Sequence, residues 1–286
     1  MTKSTTHHIE RNKDDKGSYA LVNGLTMYYE IHGSGKPLVL LHGGLATIEM
    51  LFGQLLPPLA KSRQVIAVEL QAHGHTADID RPLRYELMAD DIVALISHLG
   101  LEQADLFGYS LGGGVALQTA IRHPEVVRKL VIASAPFKQN GWYPEVLAGM
   151  ASMDAEAMVG SPMHDAYVRA APRPEDWPRF IAKFRQLLTR EAYDWAQDVV
   201  AIKAPTLIVV GDADSVRLAH AVELFGLLGG GKRDGDALGL PPSQLAVLAG
   251  TTHSSVLFRT ALLLPTTIVP FLDNGLSPSD SEVLKD

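Results

Sequence analysis

Strand-like and helix-like runs alternate along most of this chain, and that alternation restricts its fold more than any other feature. Short apolar runs stand at 37–42, 64–70, 104–109, 129–134, 206–210 and 244–248. Between them, apolar residues recur at helical spacing over 47–61, 84–99, 111–123 and 216–228. Strands joined by crossover helices lie parallel, and such a sheet needs cover on both faces. An opening hairpin is expected over 18–32, turning at Asn23-Gly24, where a two-residue turn calls for left-handed backbone. A closing helix is expected near 255–272. The prediction is an α/β fold with a mostly parallel eight-stranded sheet and helices on both faces.

The alternation stops after Pro136. Residues 137–190 carry Trp142, Tyr143, Met150, Met153, Met158, Met163, Tyr167, Trp177 and Phe180 on proline-broken helical patterns. We read them as an inserted helical cap, a lid over a core made of 18–136 and 191–286. Residues 1–17 are polar and charged, and a mobile tail is expected there. Lys232 to Pro242 is rich in Gly, Asp and Pro, which predicts a mobile surface loop.

Composition excludes several classes of function. A net charge of −7 with no basic run argues against nucleic acid. With no cysteine in the chain, disulfides, thiolate metal sites and cysteine catalysis are ruled out. The eleven histidines show no paired helical spacing that would hold zinc, and no metal or other cofactor is expected. No apolar leader precedes residue 18, and the longest apolar stretch, 256–272, is interrupted by Arg259 and Pro265. The expectation is a cytoplasmic protein with no membrane span, a monomer or homodimer.

Gly108-Tyr109-Ser110-Leu111-Gly112 sits between the run 104–109 and the helical run that follows. A strand, a G-x-S-x-G turn and a helix in that order describe a serine held on a strained turn with its hydroxyl exposed. Glycine on both sides has a steric reason, because the reversal brings backbone too close for side chains. A solvated serine in a glycine-rich turn is the plainer reading of the motif by itself; its flanks argue against that. An earlier apolar run leads into His42-Gly43-Gly44. If the serine forms a tetrahedral adduct, its oxyanion needs fixed N–H donors. Leu111 would supply one and Gly44 the other, with Leu45 next in line for the second. His42 reads as a brace for that loop.

These two motifs, with Gln71-Ala72-His73-Gly74-His75 between them, resemble the α/β-hydrolase superfamily in order and spacing. The likeness covers roughly 18–273 and is nearest to bacterial esterase-like members with a helical lid. It implies the order serine, acid, histidine. The run 206–210 ends in Gly211-Asp212-Ala213-Asp214, and the run 244–248 leads to Thr251-Thr252-His253. Asp214 is the acid that the resemblance implies, since the second aspartate of such a pair belongs to the triad. Asp212 then braces or caps the loop. Ser110, Asp214 and His253 become the catalytic set, with Gly44 and Leu111 as the oxyanion donors. Leu45, Tyr109, Trp142 and Met163 are candidate pocket residues.

The residue types dictate the chemistry. Serine is a weak nucleophile until a base takes its proton. Histidine, whose ordinary pKa lies near neutrality, can accept that proton and return it to a leaving group. The aspartate fixes the imidazole tautomer. Serine at the turn argues against dehalogenase and epoxide-hydrolase activity, which use aspartate there. The expected activity is hydrolysis of carboxylic esters, with short to medium aryl esters favoured and strongly charged substrates rejected. A lactonase, a carbon–carbon bond hydrolase or a cofactor-free perhydrolase could use the same residues. A ligand-binding receptor on this fold is the reading from outside enzymology. The chain departs from the family pattern at Glu69, where relatives often place aspartate, in lacking a proline after the acid, and at Ser254-Ser255, where many relatives carry bulky residues.

Overall fold

The structure, a computed structural model, describes residues 17–189, 193–232, 234–258 and 263–273. Of the expected tail, only Gly17 falls within them. One eight-stranded sheet runs through the molecule. In chain order its strands are β1 Ser18–Val22, β2 Leu25–His32, β3 Lys36–Leu41, β4 Arg63–Val68, β5 Ala104–Tyr109, β6 Val127–Ala133, β7 Thr206–Ala213 and β8 Ser243–Thr252. In space the order is β1-β2-β4-β3-β5-β6-β7-β8. The β1–β2 and β2–β4 pairs are antiparallel and every other pair is parallel.

Alternation within the strands explains how both faces are filled. Val39, Ile66, Leu130, Ile132 and Val210 point into one hydrophobic cluster, and Leu40, Val65, Val131, Leu207 and Val209 into the other. The first cluster packs on helices Tyr85–His98 and Leu111–Arg122, which lie on one face. The second is covered by residues of helices Ile48–Phe52, Leu56–Leu59 and Leu263–Asp273. Each of these fully buried aliphatic side chains contributes about 1.5–3 kcal/mol.

The structure corrects several expected boundaries. The single helix over 47–61 is two short helices, Ile48–Phe52 and Leu56–Leu59. Pro57 and Pro58 lack the N–H groups that a continuing helix needs, so they stand in the first turn of a new one. The loop expected over 232–242 contains helix Gly235–Leu238, whose first turn is capped by the Asp234 side chain. The eighth strand is ten residues long, because β7 and β8 pair beyond a register shift as far as Ala213 and Thr252. The closing helix is described as Ser255–Phe258 and Leu263–Asp273; residues 259–262 lie outside the description.

Between β6 and β7 stand helices Pro144–Ala151, Pro162–Ala170, Trp177–Thr189 and Ala196–Val199, with no strand among the described residues. Tyr167, Trp177, Phe180 and Phe184 from this segment join the first hydrophobic cluster. A polar latch holds helix Trp177–Thr189 to the loop after β4. The Lys183 ammonium donates to Asp78 Oδ1 and Oδ2 at 3.0 and 2.7 Å, and to the Ile79 and Arg81 carbonyls, both at 2.8 Å. Arg179 adds an ion pair to Asp78 at 3.1 Å. No helix of the described residues is long and apolar enough to cross a membrane.

An ion network centred on the buried Arg63–Asp105 pair joins the amino-terminal ends of the central strands to the closing helix. Arg63, at the start of β4, pairs with Asp105 at 2.8 Å and with Asp273. Arg128 pairs with the same Asp105, and Lys129 donates to the Phe271 carbonyl at 2.6 Å. Removing one member of a buried pair leaves its partner charged and desolvated. Asp105→Ala is therefore expected to cost about 3–5 kcal/mol of unfolding free energy, read from the urea midpoint.

Three buried histidines brace loops in the neutral state. His42 Nδ1–H donates to the Gly43 carbonyl at 2.7 Å, and its Nε2 accepts from the Leu70 amide at 3.1 Å. His73 Nδ1–H donates to the Gln71 carbonyl at 2.9 Å, and His220 Nε2 accepts from the Phe137 amide at 3.1 Å. Burial holds all three below the ordinary histidine range, His220 at about 4. The unfolded chain takes up protons below pH ~6.5 that these folded rings refuse, so stability falls with pH from there toward pH 4. The urea midpoint is expected to drop across that window. His73→Phe should flatten the drop, because it removes one of the rings that only the unfolded chain protonates.

Candidate active site

Parallel strands bring their carboxyl-terminal ends to one edge of the sheet, where loops converge on ligands in open α/β sheets. Six residues singled out by sequence or structure are each the first residue past a strand: His42 after β3, Glu69 after β4, Ser110 after β5, Ser134 after β6, Asp214 after β7 and His253 after β8.

Ser110 has φ 52° and ψ −114°, a left-handed backbone that serine rarely adopts. The turn is locked from both sides. The Ser110 amide donates to the Ala133 carbonyl at 2.9 Å, and the Gly112 amide to the His42 carbonyl at 3.0 Å. A Cβ at Gly108 would strike the Gly112 carbonyl, and one at Gly112 would strike the Leu41 carbonyl. The two motif glycines are thus demanded by backbone-on-backbone contact. Ser110 also stands at the N-terminus of helix Leu111–Arg122, whose dipole favours negative charge there.

The structure brings Ser110, His253 and Asp214 into one line. His253 Nε2 lies 3.1 Å from Ser110 Oγ, and its Nδ1 lies 2.9 Å from Asp214 Oδ1. Asp214 is buried and accepts further bonds, from the Val216 amide to Oδ1 at 3.0 Å, and to Oδ2 from the Gly211 amide at 3.2 Å and the Ser134 hydroxyl at 2.5 Å. Burial alone pushes its carboxyl up. The His253 hydrogen bond and charge, the Ser134 hydroxyl and the Val216 amide together outweigh burial and hold it below the ordinary range.

Asp212 is exposed near the end of β7 and faces the end of β8. The Gly250 and Thr251 amides hold its carboxyl below the ordinary range, and the Thr251 bond measures 3.1 Å. It braces the loop that carries His253 and makes no recorded bond to the imidazole itself.

Two aromatic residues steady His253. The Tyr109 hydroxyl donates to the His253 carbonyl at 2.8 Å, and its ring centroid lies 5.2 Å from the imidazole. Trp142 meets the imidazole edge-on at 5.4 Å and bridges to Val216 in the Asp214 loop. Met163 packs on the first hydrophobic cluster from helix Pro162–Ala170. Leu45 is buried with φ 60°. The backbone N–H groups of Gly44 and Leu111 bond to no acceptor among the described residues. A Cβ at Gly44 would collide with the Phe184 ring, so glycine there lets helix Trp177–Thr189 sit on the His-Gly-Gly loop.

Glu69 forms the departing loop contact. Its buried carboxylate accepts from the Ile48 amide at 3.1 Å, the His75 amide at 2.5 Å and the His75 ring at 2.9 Å. The residue that sequence reasoning missed is Ser134. Its one available signal was a polar residue closing a strand beside the one that leads to Ser110.

Comparisons with known proteins agree with this architecture. Residues 36–226 match the family model of the alpha/beta hydrolase fold. The 2-hydroxymuconate semialdehyde hydrolase of Pseudomonas sp. (strain CF600) is 30% identical over 226 residues, covering 72% of this chain and 80% of that protein. A solved meta-cleavage product hydrolase from Pseudomonas fluorescens IP01 superposes with a TM-score of 0.68 at 20% identity, over 90% of this chain and 97% of its own. The enol-lactonase from Burkholderia xenovorans LB400 gives 0.68 at 21% identity, over 90% and 100%. With the sheet order, the strained serine turn and the matched model in agreement, the chain belongs to the α/β-hydrolase superfamily.

Proposed function

We propose that this protein is a serine hydrolase that cleaves small, largely apolar carboxylic esters through an acyl-Ser110 intermediate. One observation carries the reading: an unbroken hydrogen-bonded line from Asp214 through His253 to a serine hydroxyl on a left-handed turn.

In this mechanism Ser110 Oγ attacks the substrate carbonyl carbon while His253 Nε2 takes its proton. The carbonyl π electrons move to oxygen, and the N–H groups of Gly44 and Leu111 receive that oxyanion. Collapse expels the alcohol, which takes the proton from His253. Water then attacks the acyl-enzyme with the same base, releasing the acid and restoring Ser110. Asp214 stays ionised throughout and keeps the imidazole Nδ1–H pointing at itself. Residues 137–190 act as the lid. Trp142 beside the imidazole and Phe184 over Gly44 supply apolar walls that suit an aryl or alkyl group.

Carbon–carbon bond hydrolysis is a second reading, favoured by the 2-hydroxymuconate semialdehyde hydrolase that is 30% identical. It would begin with the same attack on a carbonyl and differ in protonating carbon as the leaving group. A panel of p-nitrophenyl esters of rising chain length, a lactone and 2-hydroxymuconate semialdehyde separates the two. The ester reading expects the highest kcat/KM on short or medium esters. Faster turnover of the semialdehyde would replace it with the carbon–carbon reading.

Ser110→Ala is expected to lower kcat by about 10³-fold or more, because members of such a set act as a unit. Asp214→Asn should cost about 10²–10⁴-fold, whereas Asp212→Asn should stay within about tenfold. The opposite ranking would assign the acid to Asp212. Labelling of Ser110 by a fluorophosphonate with no turnover of any substrate would favour a receptor.

A further inference from the structure

We propose that Ser134 is a positioning residue that holds the Asp214 carboxylate in the rotamer that faces His253. The inference rests on the reading of Ser110, His253 and Asp214 given above.

Ser134 is buried and is the first residue past β6, the strand between those that lead to Ser110 and Asp214. Its amide continues the sheet, donating to the Val209 carbonyl of β7 at 2.9 Å. Its hydroxyl leaves the sheet and donates to Asp214 Oδ2 at 2.5 Å. Two of the other donors to that carboxylate, the Gly211 and Val216 amides, lie within three residues of Asp214 and move with its loop. Ser134 ties the carboxylate to the next strand. The preceding residue, Ala133, accepts the Ser110 amide at 2.9 Å. The contacts close a ring: Ser110 to 133–134, to Asp214, to His253, and back to the Ser110 hydroxyl.

The backbone supplies a second, independent reason. Ser134 has φ 51°, in the left-handed region that glycine occupies without penalty. Among the described residues, the other non-glycine positions with positive φ are Asn23 in the hairpin turn, and Leu45, Ala72 and Ser110 in loops at the same edge as Ser134. A serine in that conformation is a strained choice, and strain of this kind gathers at functional sites. What serine adds over glycine is the hydroxyl, and the hydroxyl is bonded to Asp214. Such a bond favours the ionised carboxylate, which is the state required while His253 carries the Ser110 proton.

The test measures the second-order rate of Ser110 phosphonylation by a fluorophosphonate, which needs no knowledge of the natural substrate. Wild type, Ser134→Ala and Ser134→Gly are compared across the pH profile, alongside their melting temperatures. Among the described residues, the titratable groups against the imidazole are Asp214 and Tyr109, with Asp212 nearby in β7. Both variants are expected to label about tenfold more slowly or worse, as for loss of a hydrogen bond to a charged group. The acidic limb of the profile should move to higher pH, since a carboxylate with one donor fewer directs more charge at the imidazole. Ser134→Gly should melt no lower than Ser134→Ala, because glycine relieves the left-handed backbone. Wild-type labelling rates in both variants would overturn the positioning role. So would a slow Ser134→Ala beside a Ser134→Gly of wild-type rate, which would assign the effect to backbone strain. Absence of labelling in wild type would overturn the nucleophile reading itself, and this inference with it.

Discussion

The candidate site depends on one strained residue held in place by backbone hydrogen bonds. Ser110 sits at φ 52°, and the Ala133 and His42 carbonyls fasten the turn on either side. Those carbonyls belong to the ends of the strands flanking β5, so the strain is borne by the middle of the sheet, its least deformable part. Two consequences follow from this placement. The serine side chain projects from the sheet edge at the start of a helix, where developing negative charge is favoured. And the turn tolerates no side chain at 108 or 112, because the colliding atoms are backbone that cannot step aside.

The imidazole comes from the edge of the sheet. His253 follows β8, an edge strand with many partly exposed residues. Edge strands are held on one side only, so the loop that carries His253 needs other restraints. It has three: the Tyr109 hydroxyl on its carbonyl, the Trp142 edge on its ring, and Asp212 on the Thr251 amide. Two of these come from Tyr109 and Trp142, residues that the sequence suggested for substrate contact. Tyr109 in particular spends its hydroxyl on architecture.

Stability and the candidate site occupy opposite ends of the strands. The network of buried Arg63 and Asp105 with Arg128 and the exposed Asp273 ties the amino-terminal ends to the closing helix. The carboxyl-terminal ends hold the strained loops, the neutral histidines and the latch from Lys183 to Asp78. Strain at one end is tolerated because the two hydrophobic clusters and the network at the other over-determine the sheet.

Much of this was legible in the chain itself, for physical reasons. Alternating periodicity is a local property, and it specified the eight strands and the crossover helices. The glycines of 108–112 pointed to a tight strand-to-helix turn, and the order that the family resemblance implies then pointed to Asp214 and His253. Helix breaks at Pro57-Pro58 and the length of β8 were misjudged, because the first depends on where a new helix can start and the second on pairing with a partner strand. The Phe184 contact with Gly44 and the latch on Asp78 left no local signal, and the Ser134 bond to Asp214 left only a polar residue closing a strand. Each joins residues about 80 to 140 positions apart or on separate elements, and only the parallel register that gathers the strand ends at one edge brings such groups within hydrogen-bonding reach.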